Sequence, residues 1–310
     1  MHNPRPVYLK RVLQALRQQT LPRDQWELLL IDNASASPLA AAWDIGWHSY
    51  ARHLREDELG LTPTRLRGIR ESNADLIIFV DDDNVLATDY LERATEVAAG
   101  YPLIGAFCGS IIGEFEVAPS QRVKKYAPWL AIEEIQRDFW ANIDDTTIAV
   151  PVGAGLCVRR SVAEHYAQQL SLNEGRRSLD RIGKALGGFG DIDLALTATD
   201  LQTGRFQAMK LTHLISAGRV DEDYIVRIVS ESWGSRLMFE AARGRLRKEE
   251  SKLVNLLKFV AMWSLSNSLD RRIRAASRKA EMRVRRELDG AKTELRRRAA
   301  SPLRSDAASQ

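Results

Sequence analysis

The chain predicts an α/β fold: a Rossmann-like, mostly parallel sheet flanked by helices. Three observations carry this expectation. Leu76–Val80 is an unbroken apolar run, partly β-branched and aromatic, of the length of a strand buried on both faces. Glu27–Ile31 is a second run of the same kind. Helical spacing alternates with such runs over roughly the first 110 residues, the pattern of βα units in a layered parallel sheet.

The strand at Leu76–Val80 ends abruptly in Asp81, Asp82 and Asp83. A buried strand that stops in acids delivers them to the carboxyl edge of a sheet, where open α/β sheets bind ligands. Three adjacent carboxylates repel one another unless a cation sits among them. A solvated acidic turn is the plainer reading, and on this stretch alone a metal or phosphate role stands beside it.

The other elements follow in order. Tyr8, Val12, Leu13 and Leu16 predict an amphipathic helix over 6–19. The strand Glu27–Ile31 leads into Asp32-Asn33-Ala34-Ser35, and a short strand is expected near 50–54. Leu61–Ser72 reads as a helix carrying Arg65, Arg67 and Arg70. Thr88 is placed to cap a helix reaching about Ala99. Gly105–Ile112 reads as a strand, 113–150 as irregular, and Ala149–Val158 as a glycine-containing strand before a helix from Ser161. Gly187-Gly188-Phe189-Gly190 opens a helix over Asp191–Thr203, with carboxylates on its first turn where the helix dipole favours them. A helix over 222–246 ends at Gly244.

With 310 residues, 45% apolar and 28% charged, the composition is that of a globular protein able to bury a large core. Cys108 and Cys157 lie in apolar surroundings, which predicts reduced, buried thiols and a cytoplasmic setting. The opening MHNPRPVYLKRVL has no apolar signal segment. Residues 271–310 hold 13 Lys and Arg against 5 Asp and Glu, so the basic excess belongs to the tail and the remainder nets −4. That asymmetry weakens a whole-chain nucleic-acid reading. The tail lacks interleaved aromatics, so no specific nucleic-acid partner is expected. Leu253, Leu256, Leu257, Val260 and Trp263 share a helical face flanked by Lys and Arg, too short to span a bilayer. It packs on the domain or lies on a membrane surface, with peripheral contact through 251–300 on the inner face. Residues 271–300 are helical by composition, and SPLRSDAASQ reads as disordered.

Together YLKRVLQALRQQTLP (8–22), ELLLIDNAS (27–35), GLTPTRLRGIRESNADLIIFVDDDN (60–84), PVGAGLCVRR (151–160) and GGFGDIDLAL (187–196) resemble an inverting family 2 glycosyltransferase of the GT-A fold, over roughly residues 3–220. The resemblance implies a nucleotide-diphospho-sugar donor and a saccharide or lipid-linked acceptor. It implies that Asp32, with Asn33 beside it, meets the nucleotide base and that Arg65 holds the nucleotide end. Asp81-Asp82-Asp83 resembles the DxD motif, with Asp81 and Asp82 on the donor and Asp83 the direct metal ligand. Asp191 matches the catalytic base, and His213 in KLTHLISAGR (210–219) resembles a histidine that completes the metal site. Mn²⁺ or Mg²⁺ is the implied cofactor, and a hard divalent cation on carboxylate oxygen suits a diphosphate leaving group. A carboxylate in hydrogen-bond reach can take the acceptor's proton during attack. Asp193 is expected to orient the turn.

Two departures stand out. Gly190 occupies the place of the family's glutamate before Asp191. Asn3-Pro4-Arg5-Pro6 matches the loop after the family's first strand, and that central strand has no counterpart. Either the start codon is assigned too far downstream or the chain is a compromised version; the intact motifs favour the first. The expected organisation is a GT-A domain over 1–220, a helical extension over 221–270 and a basic tail over 271–310. The expected function is metal-dependent glycosyl transfer in polysaccharide or glycolipid assembly. The alternative is a degenerate, non-catalytic sugar-nucleotide-binding or scaffold protein. A P-loop NTPase is rejected, since Gly183-Lys184-Ala185 lacks the hydroxyl and the preceding loop. A sugar-1-phosphate nucleotidyltransferase would need a glycine-rich basic loop after the first strand, and none is present.

Overall fold

The computed structural model describes residues 1–142, 149–172, 176, 179, 186, 188–198, 201–246 and 266–300, the last ten of these as backbone alone. Helix α1 (Pro6–Arg17) starts with proline at its first position and buries Tyr8, Leu9, Val12, Leu13 and Leu16, the face the spacing anticipates. Strand β1 (Leu28–Asn33) follows, then a short α2 (Leu39–Ala42) and β2 (Ala51–Glu56). β1 and β2 pair in parallel, with Asp32 opposite Arg55. Helix α3 (Leu61–Glu71) leads to β3 (Leu76–Phe79), whose carboxyl end carries the three aspartates.

The larger sheet runs β3-β7-β5-β8-β4, where β4 is Asn84–Leu86, β5 Ile104–Phe115, β7 Leu156–Arg159 and β8 Gln202–Ile215. β5 and β8 are parallel, and β7 runs against both β3 and β5, so β3, β5 and β8 share one direction. The first eight residues of β5 are buried throughout, as a central strand requires. On one face α1 and α4 (Tyr90–Gly100) cover a cluster that includes Leu9, Leu13, Leu91, Phe107 and Leu211. Ile77, Leu156, Val158, Tyr166 and Leu194 build the second cluster, beneath α6 (Arg160–Leu172) and α7 (Gly190–Ala195). The expected α/β architecture is therefore present.

Several boundaries differ from the sequence reading. The residue at the start of α4 is Asp89, not Thr88, and no side chain caps that end. The segment read as irregular contains the end of β5, the short helix α5 (Gln121–Lys124) and β6 (Phe139–Ala141), which pairs with β8. The glycine-rich 149–158 run becomes strand only from Leu156, because Gly155 turns the chain at φ +67. The helix expected over Asp191–Thr203 stops at Ala195, and β8 begins at Gln202. Pairing with buried β5 outweighs the local helical pattern there. Helix α8 (Glu222–Ala242) ends two residues before Gly244, which takes φ +69. Helix α9 (Ser268–Ala300) packs on α8, burying Leu269, Ile273, Ala280 and Val284, with Gly234 of α8 beneath the last two. The apolar face at 253–265 and the last ten residues lie outside the described residues.

Candidate active site

The acids at the end of β3 are fastened by the strand that follows. The backbone N–H of Asn84 donates to Asp81 O at 3.1 Å, and Leu214 N donates to Asp83 O at 2.8 Å. β4 pairs antiparallel with β8, with Asn84 directly opposite His213. That register carries Asp83 to His213: Asp83 Oδ2 lies 3.3 Å from His213 Nε2. His213 is buried, and its Nδ1 has no hydrogen-bond partner.

Between the two stands a residue the sequence reading did not assign. Arg219 Nη1 donates to Asp83 Oδ2 at 2.9 Å and lies 3.1 Å from His213 Nε2. Arg219 sits in the helical turn Ala217–Val220, just beyond β8. That turn is held by Glu116, which accepts Ala217 N at 3.0 Å and also Tyr8 Oη at 2.7 Å. The signal was in the quoted segment KLTHLISAGR, but periodicity cannot foretell the reversal that folds Arg219 back on His213.

The Asp82 carboxyl is displaced from its ordinary range. Burial, then the neighbouring Asp83 and Asp81 charges, push its carboxyl up to about 6. A carboxylate oxygen and an imidazole nitrogen meeting at this distance suit Mn²⁺. Among the described residues no three metal-type side chains cluster; Asp83 and His213 meet as a pair, with Arg219 bridging them.

Asn33, Arg65, Asp81, Asp82 and Asp83 line one end of a cavity of about 560 Å³. Asn33 fastens the approach to it. Its Nδ2 donates to Glu58 O at 2.7 Å and Glu56 O at 3.2 Å, and its Oδ1 accepts Gly60 N at 2.8 Å. These bonds fix the start of α3, and hence Arg65, which is buried and lies over the Phe79 ring. Asp32 turns into its own loop: it accepts Ser35 N at 2.9 Å and Leu39 N at 3.2 Å and pairs with Arg55 at 3.0 Å. Burial raises its pKa, but these hydrogen bonds and Arg55 outweigh burial and hold it below the usual carboxylate range. Both its oxygens are therefore engaged before any ligand arrives.

Asp191 is on the first turn of α7. Its Oδ2 accepts Gly153 N at 2.6 Å and its Oδ1 accepts Ile192 N at 2.9 Å. A Cβ on Gly153 would stand 2.9 Å from Asp191 Oδ2 and 3.1 Å from Arg65 Nη2, so a side chain there would crowd both groups. Arg65 thus joins the cavity that holds the three acids to the surroundings of Asp191. Asp193, two residues on, is held in a buried ion cluster. Arg176 donates to both its oxygens at 2.9 Å, and Arg243 lies 3.3 Å away. Neither arginine was singled out from sequence, since nothing local marks them.

The sequence pattern described as Glycosyl transferase family 2 matches residues 1–167. A glycosyltransferase of Haloferax volcanii, AglE, is 25% identical over 103 residues, 31% of this chain and 34% of that protein. The match thus spans about a third of the curated relative's length. Among solved structures, S. aureus TarS superposes with a TM-score of 0.50 at 11% identity, covering 79% of this chain and 42% of that one. TarS 1–349 in complex with UDP-GlcNAc gives 0.53 at 10% identity, over 79% and 65% of the two chains. At such identity the likeness shows the fold, which is GT-A. With its family pattern extending over more than half its length, the chain belongs to glycosyl transferase family 2.

Proposed function

We propose that the chain transfers a sugar from a nucleotide-diphospho-sugar to an acceptor hydroxyl, with inversion at the anomeric carbon, in polysaccharide or glycolipid assembly. The observation that carries this reading is the meeting of Asp83 with His213 beside the Arg65-lined end of the cavity. Arg65, with Asp81 and Asp82, would take the donor; Asp32 and Asn33 shape the loop beside the base. Asp83 and His213 would hold Mn²⁺, or Mg²⁺ less well, once Arg219 gives way. When bound, the cation supplies positive charge where the departing diphosphate gains negative charge. Asp191, held by Gly153 N, keeps its carboxylate in one orientation and can accept the acceptor hydroxyl's proton. A saccharide or lipid-linked acceptor fits that role. Peripheral membrane contact through 251–300 belongs to the same proposal, and no helix among the described residues is long and apolar enough to cross a membrane.

Gly190, where a carboxylate is expected before Asp191, favours a second reading: donor binding without transfer. Calorimetric titration with UDP, GDP and dTDP, with and without Mn²⁺, tests the donor site. Metal-dependent binding of one nucleotide is expected; binding of none by folded protein would remove the donor reading. Release of a nucleoside diphosphate from a bound donor then separates transfer from binding alone.

A further inference from the structure

Helix α7 has six residues, Gly190–Ala195. A helix of less than two turns makes few hydrogen bonds of its own, so it takes its orientation from what it is packed against. Successive residues advance about 100° round the axis, which puts Asp191 and Asp193 about 200° apart, on nearly opposite sides. Asp191 is held on its side by Gly153 N, at 2.6 Å. Asp193 is the anchor on the other. Two anchors on opposite sides fix the roll of the helix.

The second anchor is assembled from two separate places in the chain. Arg176 donates to both Asp193 oxygens at 2.9 Å and to Thr197 Oγ1 at 3.1 Å, and Thr197 Oγ1 donates to Asp193 O at 2.7 Å. Arg243 arrives from the end of α8, where its Nη2 donates to Asp193 Oδ1 at 3.3 Å. One turn earlier on α8, the buried Phe239 ring packs against Phe189, the residue before α7, with centroids 5.6 Å apart. The Arg243 guanidinium lies over the same Phe239 ring, 4.9 Å from its centroid. Helix α8 thus meets α7 at two points. Arg176 already engages Asp193 through two parallel bonds, the strong geometry for such a pair, so charge balance calls for no second guanidinium. What Arg243 adds is a tether to α8, a helix that α9 covers in turn.

We propose that Arg243 is a positioning residue: through Asp193 it fixes the roll of α7 and so keeps the Asp191 carboxylate on Gly153 N. Its effect on transfer rests on Asp191 being the base; the tether does not.

The full chain, labelled with nitrogen-15, is compared with Arg243→Gln and Arg243→Lys by amide exchange. The Gly153 amide reads the position of Asp191 directly, because it donates to that carboxylate. In Arg243→Gln it is expected to exchange about tenfold faster than in the parent, with its proton resonance moved upfield as the bond lengthens. The Cys157 and Val158 amides of β7 are expected to keep the parent rate. Arg243→Lys, which keeps the charge, is expected to retain the Gly153 protection. Parent-like exchange at Gly153 in Arg243→Gln would overturn the proposal. So would a loss shared equally with β7, which marks general loosening, or an equal loss in Arg243→Lys. If Arg243→Gln does not fold, Arg243→Met, which keeps an apolar stem beside Phe239, is read by the same criteria. Undiminished transfer in Asp191→Asn would remove the base and leave the exchange result standing, so the two readings fail separately.

Discussion

The guanidinium of Arg219 touches Asp83 Oδ2, at 2.9 Å, and His213 Nε2, at 3.1 Å, with the same nitrogen. A cation bridging a carboxylate and an imidazole stands where a divalent ion would otherwise draw on the same two atoms. Arg219→Gln is therefore expected to raise Mn²⁺ affinity by roughly tenfold, about 1.4 kcal/mol. Asp83→Ala is expected to remove metal-dependent nucleotide binding. Manganese titration followed by electron paramagnetic resonance reads both variants. Unchanged Mn²⁺ affinity in Arg219→Gln would show that the arginine does not compete with the ion.

Asp82 makes stability depend on pH in a defined direction. Its folded pKa is raised to about 6, so the folded state holds a proton that the unfolded chain, near 3.9, has lost. Its contribution is fully present below about pH 4 and is lost as pH rises through about 6. Asp82→Asn is thus expected to match the parent at pH 4 and to be more stable at pH 8, by on the order of 1–2 kcal/mol. Urea unfolding at the two pH values gives the comparison, and an equal difference at both would refute the assignment.

Asp191→Asn keeps an acceptor oxygen for Gly153 N while removing the base. Donor affinity should be retained and transfer should fall by about 10²–10⁴-fold. Near-normal turnover in this variant would place the base elsewhere.

Asp193 balances two guanidinium groups in a nearly solvent-free position, with its side chain 1% exposed and that of Arg176 10% exposed. Removing it leaves Arg176 uncompensated, so Asp193→Ala is expected to cost about 3–5 kcal/mol of stability. Thermal unfolding measures it. A loss of transfer without loss of Tm would mean that the aspartate touches substrate and does not orient α7.

Much of the molecule was legible in its sequence. The apolar runs at Glu27–Ile31 and Leu76–Val80, the spacing of Tyr8, Val12, Leu13 and Leu16, and the basic α3 each encode their element locally. Burial of a strand or a helix face leaves a periodic trace in the chain. The acids after β3 were likewise readable, because a buried strand has to surface somewhere and charge marks the place. The long β8 was not. Its run Gly204–Ile215 mixes Arg, Gln and Lys with apolar residues, and only pairing along β5 makes it a strand.

Tertiary structure decided the rest, for reasons of register and reversal. Asp83 and His213 are 130 residues apart and meet because Asn84 pairs with His213 in one antiparallel register. A slip of one residue would turn the imidazole to the other face of the sheet. The use of Asn33 to tie down Glu56–Gly60, and of Asp32 to close its own loop, likewise depends on where the chain returns. Local sequence fixes which segments become strands and which carry charge. Which strands become neighbours, and therefore which charges meet and which edges stay open, is settled only when the sheet assembles.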